Sequence, residues 1–159
     1  MIKAPSPETL ALCPLFGGLS SECCKRFLDR MERVELAAGQ FVYEEGDPAR
    51  HIYILVDGKL DVLKPSTAPG VVLVELHPGD FFGDMSFIDM QPRSATVRVA
   101  TNCALWRLDF AVLRETYQAD LKCYTLVVMN IAREMSRRLR RSDSARLPAS
   151  KRPTSPREE

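Results

Sequence analysis

The spacing of apolar positions divides the chain into three stretches. In the first, apolar residues recur at helical intervals: 8–12 and 20–31 read as short helices, the second with Ser20 or Ser21 as N-cap and Phe27, Leu28 and Met31 in its pattern. From 33 to 108 the period shortens. Runs rich in β-branched and aromatic residues, at 40–43, 51–56, 59–63, 71–76, 95–100 and 104–108, alternate with Gly, Pro and Asp punctuation and read as strands. Asp57-Gly58 predicts a tight hairpin between two of these runs, because a type I′ turn needs positive φ at both central positions. Gly46-Asp47-Pro48 and His77-Pro78-Gly79-Asp80 predict further turns, and 65–70 a longer hairpin connection.

From Asp109 the helical period returns. Asp109 caps a helix running through Tyr117, and Asp120 caps a last one that persists to about residue 145, since nothing breaks it before Pro148. On this last helix Val127 or Val128, Ile131, Met135 and Leu139 form an apolar stripe, with Arg133, Arg137, Arg140 and Arg141 opposite. Such a stripe either pairs with its twin in a homodimer or folds back over its own domain as a lid. Pro148, Pro153 and Pro156, among Ser, Lys and Arg, predict a disordered tail. The expected architecture is α+β, one domain over 1–145. Its centre is an antiparallel β-roll (double-stranded β-helix, jelly-roll-like) over 33–108, flanked by N-terminal helices and two C-terminal helices over 109–145. A basic, Pro-rich tail occupies 146–159.

Composition agrees with that picture. The chain has 159 residues, 45% hydrophobic and 27% charged, enough for one globular domain with a real core. Its apolar runs fall short of the roughly 20 residues a membrane span needs. The N-terminus lacks the apolar region of a secretory signal, so a cytoplasmic location is expected. Five cysteines without paired spacing, and two histidines far from most of them, predict buried free thiols in a reducing compartment rather than a metal site.

Charge adds an asymmetry. Residues 133–159 hold nine Arg/Lys against four Asp/Glu, a net +5, which leaves −4 on the rest. Without aromatic interleaving or a groove-reading motif, these arginines read as a solvated face and nucleic-acid binding is not expected. No Ser/His/Asp or Cys/His set has supporting context and no Gly-rich triphosphate loop is present, so no enzyme activity is expected.

One stretch carries chemistry. It runs Gly79-Asp80-Phe81-Phe82-Gly83-Asp84-Met85-Ser86-Phe87-Ile88, then Asp89-Met90-Gln91-Pro92, then Arg93-Ser94-Ala95-Thr96-Val97. Gly83 lets the backbone turn or approach closely. Residues 84–88 can form one helical turn with free amides, and Arg93 supplies a fork suited to phosphate, with the Ser94 hydroxyl beside it. On these grounds Asp84 is an N-cap.

Taken together, Phe82-Gly83-Asp84-Met85-Ser86 and Arg93-Ser94-Ala95-Thr96-Val97 resemble the phosphate-binding cassette of the cyclic-nucleotide-binding domain family. Leu15-Phe16-Gly17-Gly18-Leu19-Ser20 is similar to the start of that family's first helix, and Gly39, Gly46-Asp47, Tyr53-Ile54-Leu55, Gly58 and Gly79-Asp80 to its strand-and-turn pattern. The resemblance implies that Arg93 pairs with the exocyclic oxygens of a cyclic phosphate. Ser94 and the amides near Met85 and Ser86 would complete the phosphate shell. Phe82 and Gly83 would shape the floor, and Val71 and Leu73 would line the base. Asp84 stands where the family usually has the Glu that accepts from the ribose 2′-hydroxyl, one methylene and about 1.5 Å shorter. Either the ribose sits deeper, a water bridges the gap, or Asp84 only caps the helix.

Met135-Ser136-Arg137-Arg138-Leu139 resembles the dimerising helix of the bacterial catabolite activators, a register that puts Ser142 and Asp143 at the adenine contacts. The residues from Ser144 to Glu159, Pro-rich and without periodicity, are not expected to form a winged helix-turn-helix. The implied function is a non-enzymatic sensor of cAMP, with cGMP as the alternative ligand, signalling to a partner protein through its C-terminal helices. Two other readings stand beside it: a ligand-free β-roll interaction module, and a nucleic-acid-associated regulator acting through the basic tail.

Overall fold

The structure, a computed structural model, describes residues 6–146; the expected tail from 147 onward lies outside the described residues. Two short helices, α1 (Pro7–Ala11) and α2 (Ser21–Leu28), flank a 3-10 turn at Pro14–Phe16. Ser20 caps α2 by accepting from the Cys23 amide at 3.2 Å. Six strands follow: β1 (Glu32–Leu36), β2 (Phe41–Tyr43), β3 (His51–Lys64), β4 (Ala68–Leu76), β5 (Phe81–Phe82) and β6 (Thr96–Asp109). A single-turn helix, α3 (Met85–Asp89), interrupts them between β5 and β6. The chain then enters α4 (Phe110–Ala119) and α5 (Leu121–Arg146). The α+β roll expected from the pattern is the fold observed.

All strand pairs are antiparallel, in the order β1-β6-β3-β4, with β2 also on β6 and β5 also on β3. The roll follows from two long strands that change neighbours along their length. β3 pairs with β5 at Tyr53↔Phe82 and with β4 at Leu60↔Leu76. β6 pairs with β2 at Phe41↔Arg98 and with β1 at Leu105↔Val34.

The hairpin expected at Asp57-Gly58 does not form. β3 runs through both residues, paired with β6 on either side, with the register shifting at Leu55/Asp57 and Asp57/Lys59. Gly58 has φ +88, and a Cβ there would lie 2.4 Å from the Asn102 carbonyl oxygen and 2.8 Å from Cys103 Cβ. The glycine serves a bulge where two strands are pressed together, not a turn between them. The runs at 51–56 and 59–63 are therefore one strand, as are those at 95–100 and 104–108.

Alternate residues of the paired strands face two cores. Tyr53, Leu55, Leu60, Phe82, Val99 and Leu105 fill the inside of the roll. Ile52, Ile54, Phe81 and Leu108 face outward into a second core, closed by Phe16 and Phe27 from the N-terminal segment and by Leu113, Val127 and Ile131 from α4 and α5. Asp109 caps α4, accepting from the Ala111 amide at 2.6 Å, and Asp120 accepts from the Cys123 amide at 3.0 Å at the start of α5. Asn130 ties α5 to the N-terminal loop, donating to the Leu15 and Gly17 carbonyls at 3.1 and 2.9 Å. The apolar stripe of α5 packs on its own domain through Val127, Ile131 and Met135, and leaves Leu139 64% exposed. Among the described residues no helix is long and apolar enough to cross a membrane.

Candidate functional site

A cavity of about 520 Å3, a size suited to a small organic ligand, opens between the roll, the β5–α3 turn and the far half of α5. Phe82, Gly83, Asp84, Met85, Ser86, Arg93 and Ser94 all line it. The sequence thus folds the two halves of the candidate cassette onto one wall. α3 starts at Met85, but Asp84 at its N-cap position makes no capping bond with its side chain.

Arg93 sits at the centre of that wall. Its backbone is clamped to the Gly46-Asp47 turn, donating to Asp47 O at 2.9 Å and accepting from the Gly46 amide at 2.8 Å. Its guanidinium, 4% exposed as a residue, donates to Gly83 O at 3.0 Å and His51 O at 2.8 Å, and lies 4.1 Å from the centre of the Tyr43 ring. Among the described residues no carboxylate pairs with it, and its Nε–H is buried without a partner. A buried cation balanced only by carbonyl dipoles and the faces of two tyrosines, Tyr43 and Tyr53, is costly unless an anion reaches it. Burial also pushes the Tyr43 phenol up, so that ring stays neutral beside the charge.

Gly83 explains how Arg93 is seated. Its φ is +80, and a Cβ would come within 2.7 Å of Arg93 Nη1 and 3.1 Å of His51 O. Only glycine turns the chain there and leaves the guanidinium room.

Asp84 is 1% exposed, and its carboxylate is held by Arg138 of α5, whose Nη1 donates to Oδ1 at 3.1 Å and to Oδ2 at 3.4 Å. Arg138 Nη2 donates to Phe81 O, and its guanidinium lies over the Phe81 ring at 5.1 Å. The reading of Asp84 as a capping side chain is therefore corrected: the carboxylate makes no bond to the α3 amides and instead latches α5 to the β5–α3 turn.

At the opposite end the expected lining and the observed lining differ. Val71 and Leu73 of β4 stand outside the cavity, while Val74, itself half exposed, and Leu76 of the same strand line it with Val62. Ser142 and Asp143 are exposed beyond the cavity's edge; α5 presents Glu134, Arg138 and Arg141 to it instead. Those three positions continue the buried Val127–Ile131 face at spacings of three and four, so the same period that marks the apolar stripe could have found them. The inward strand positions at 74 and 76 depend on the bulged register of β3 and β4, which the alternation alone does not set.

Known proteins resemble the chain over most of its length. The chain is 31% identical over 131 residues to the cyclic AMP receptor protein of Thermus thermophilus, a match covering 82% of this chain and 59% of that one. It is 31% identical over 133 residues to an uncharacterized NTE family protein of Mycobacterium tuberculosis, covering 84% of this chain and 22% of that one. The chain thus spans less than two thirds of the length of these curated relatives. The crystal structure of a cyclic nucleotide-binding domain from Methylobacillus flagellatus shares the fold, with a TM-score of 0.80 at 20% identity, over 92% of this chain and 87% of that one. Residues 33–120 match the cyclic nucleotide-binding domain family. That span contains the Gly83 turn and the buried Arg93, and the chain belongs to the cyclic nucleotide-binding domain family.

Proposed function

We propose that this chain is a non-enzymatic sensor that binds cAMP in the cavity beside Arg93 and signals to a partner protein by moving α5. The observation that carries the reading is the buried Arg93 guanidinium, which among the described residues has no carboxylate partner and whose Nε–H makes no hydrogen bond there, bordering a cavity of about 520 Å3. A cyclic phosphate supplies the missing negative charge, and its exocyclic oxygens match the planar fork. Ser94 and the amides at Met85 and Ser86 complete the phosphate contacts, and Asp84 accepts from the ribose 2′-hydroxyl. Because Arg138 already holds Asp84, the ribose and α5 compete for or share one carboxylate. Ligand binding is thereby linked to the position of α5, and the population of its two placements shifts with occupancy.

The test is a calorimetric titration of the purified chain with cAMP, cGMP and cyclic di-GMP. Heat with cAMP, weaker heat with cGMP, and loss of both in a folded Arg93→Ala variant are expected. Absence of heat from all three, with no competition among them, would sink the proposal.

The Asp84–Arg138 pair also favours a second reading, because it fills the ribose-binding carboxylate without any ligand: a β-roll interaction module that binds no nucleotide. A melting temperature that climbs with added cAMP supports the sensor; one that stays fixed supports the module.

A further inference from the structure

Away from the cavity, the first turns of α2 and α5 meet in a cluster that the nucleotide site does not use. The Sγ atoms of Cys23 and Cys123 and a carboxylate oxygen of Asp120 all lie within 4.8 Å of one another. Arg26, one turn along α2, donates to Cys23 Sγ at 3.1 Å and to Asp120 Oδ2 at 2.5 Å. The Cys23 thiol itself donates to Asp120 Oδ2 at 3.7 Å. Cys23 and Cys123 are both buried, and both border two surface cavities, of about 300 and about 310 Å3.

Two thiols and a carboxylate could also hold a metal ion. Here the Asp120 carboxylate is already taken by the Arg26 guanidinium, whose charge stands where a cation's would. The same arrangement suits thiol chemistry, because a guanidinium against sulfur stabilises the thiolate. Burial pushes the Cys123 thiol up to about 12, so it remains protonated at neutral pH, and the Arg26 contact is made to Cys23. Cys24, next in sequence, shares the outer core with both but makes no contact with Asp120 or Arg26 among the hydrogen bonds of the described residues.

We propose that Cys23 and Cys123 form a reversible intramolecular disulfide, with Cys23 attacking a hydroperoxide first. The Cys23 proton passes through Asp120 to water, and the thiolate attacks one peroxide oxygen. The S–O bond forms as the O–O bond breaks, and the departing oxygen takes up a proton. Cys123 then attacks the sulfenic sulfur: the S–S bond forms, the S–O bond breaks, the Cys123 proton joins the leaving hydroxide, and water departs. Two thiols are oxidised and one hydroperoxide is reduced. The sulfurs must close to about 2.05 Å, a short movement of the first turns of two helices. The bond fastens the start of α5 to α2.

The test exposes the purified chain to hydrogen peroxide, blocks remaining thiols, and maps peptides by mass spectrometry. Titratable thiols in denaturant should fall from five to three, with a Cys23–Cys123 cross-linked peptide that dithiothreitol removes. Cys24→Ser should retain the cross-link; Cys23→Ser and Cys123→Ser should lack it. The wild-type peptide map decides the matter even where a serine variant fails to fold. A cross-link through Cys24, sulfinate or sulfonate at Cys23 without a cross-link, an unchanged thiol count, or zinc bound in the untreated chain that blocks oxidation would each overturn it.

Discussion

Arg93 and His51 meet through one hydrogen bond to the His51 carbonyl, yet their side chains repel when both are charged. Burial, and then the charges of Arg107 and Arg93, hold the His51 imidazole below its usual 6.5; the Asp109 carboxylate 3.8 Å away and Glu32 offset only part of this. The folded chain therefore takes up this proton less readily than the unfolded chain does. The His51 contribution to stability is full above pH 6.5 and is lost as the pH falls below it, while the unfolded state gains the proton first. Lowering the pH from about 7.5 to 5.5 should reduce the urea midpoint, and His51→Gln should remove that portion of the slope. NMR titration of the ring should place its midpoint below 6.5. A ring titrating above 6.5 would show that the carboxylates dominate and would void this account.

At the scale of elements, the Asp84–Arg138 contact holds the far half of α5 against the roll. Removing Arg138 leaves a carboxylate buried without its cation. Because the Arg138 side chain is one-third exposed, water can enter in its place, so Arg138→Ala should cost about 1–3 kcal/mol rather than more. Amide exchange in the last turns of α5 should quicken with it. Adding Asp84→Asn should recover part of the loss, since a neutral amide is cheaper to leave buried. Unchanged stability in Arg138→Ala would mean the pair carries no weight. This contact was not legible in the chain, although both partners were: Asp84 reads as a cap, and Arg138 as part of a dimerising pattern. Their meeting depends on where α5 crosses the roll, which Asn130 sets through two loop carbonyls 113 and 115 residues away in sequence. The strands show the same limit. β1, with Glu32, Arg33 and Glu35 among its residues, offers no apolar run, and β5 is only two residues long; both exist because long neighbours pair with them. The cassette residues stood out in the chain through their resemblance to a family pattern, whereas the seat of Arg93 on Tyr43, the Gly46-Asp47 turn and the His51 carbonyl did not, because those partners lie more than forty residues away.

At the centre of the molecule, stretches of β3, β5 and β6 are buried on both faces, and this ties its two cores together. Along β3, Ile52 and Ile54 face the outer core while Tyr53 and Leu55 face the inside of the roll; Phe81 and Phe82 divide in the same way on β5. Neither core can open without stripping one face from strands that the other core uses, so unfolding should be a single cooperative step. Trp106, the single tryptophan of the chain, packs against the outer core and reports on it alone, with Leu105 beside it pointing into the roll. Leu60 is fully buried in the inner core and paired with Leu76 and Val99. Leu60→Ala should cost about 2–5 kcal/mol by leaving a cavity inside the roll. Trp106 fluorescence and far-UV circular dichroism should still lose their signals at one shared denaturant midpoint, shifted by the same amount. Persistence of the Trp106 signal after the dichroism of the roll has gone would show instead that the helical layer and the roll fold apart. In that case a movement of α5 could not be passed through shared strands to the cavity wall at Arg93, and the Asp84–Arg138 contact would be the route left for it.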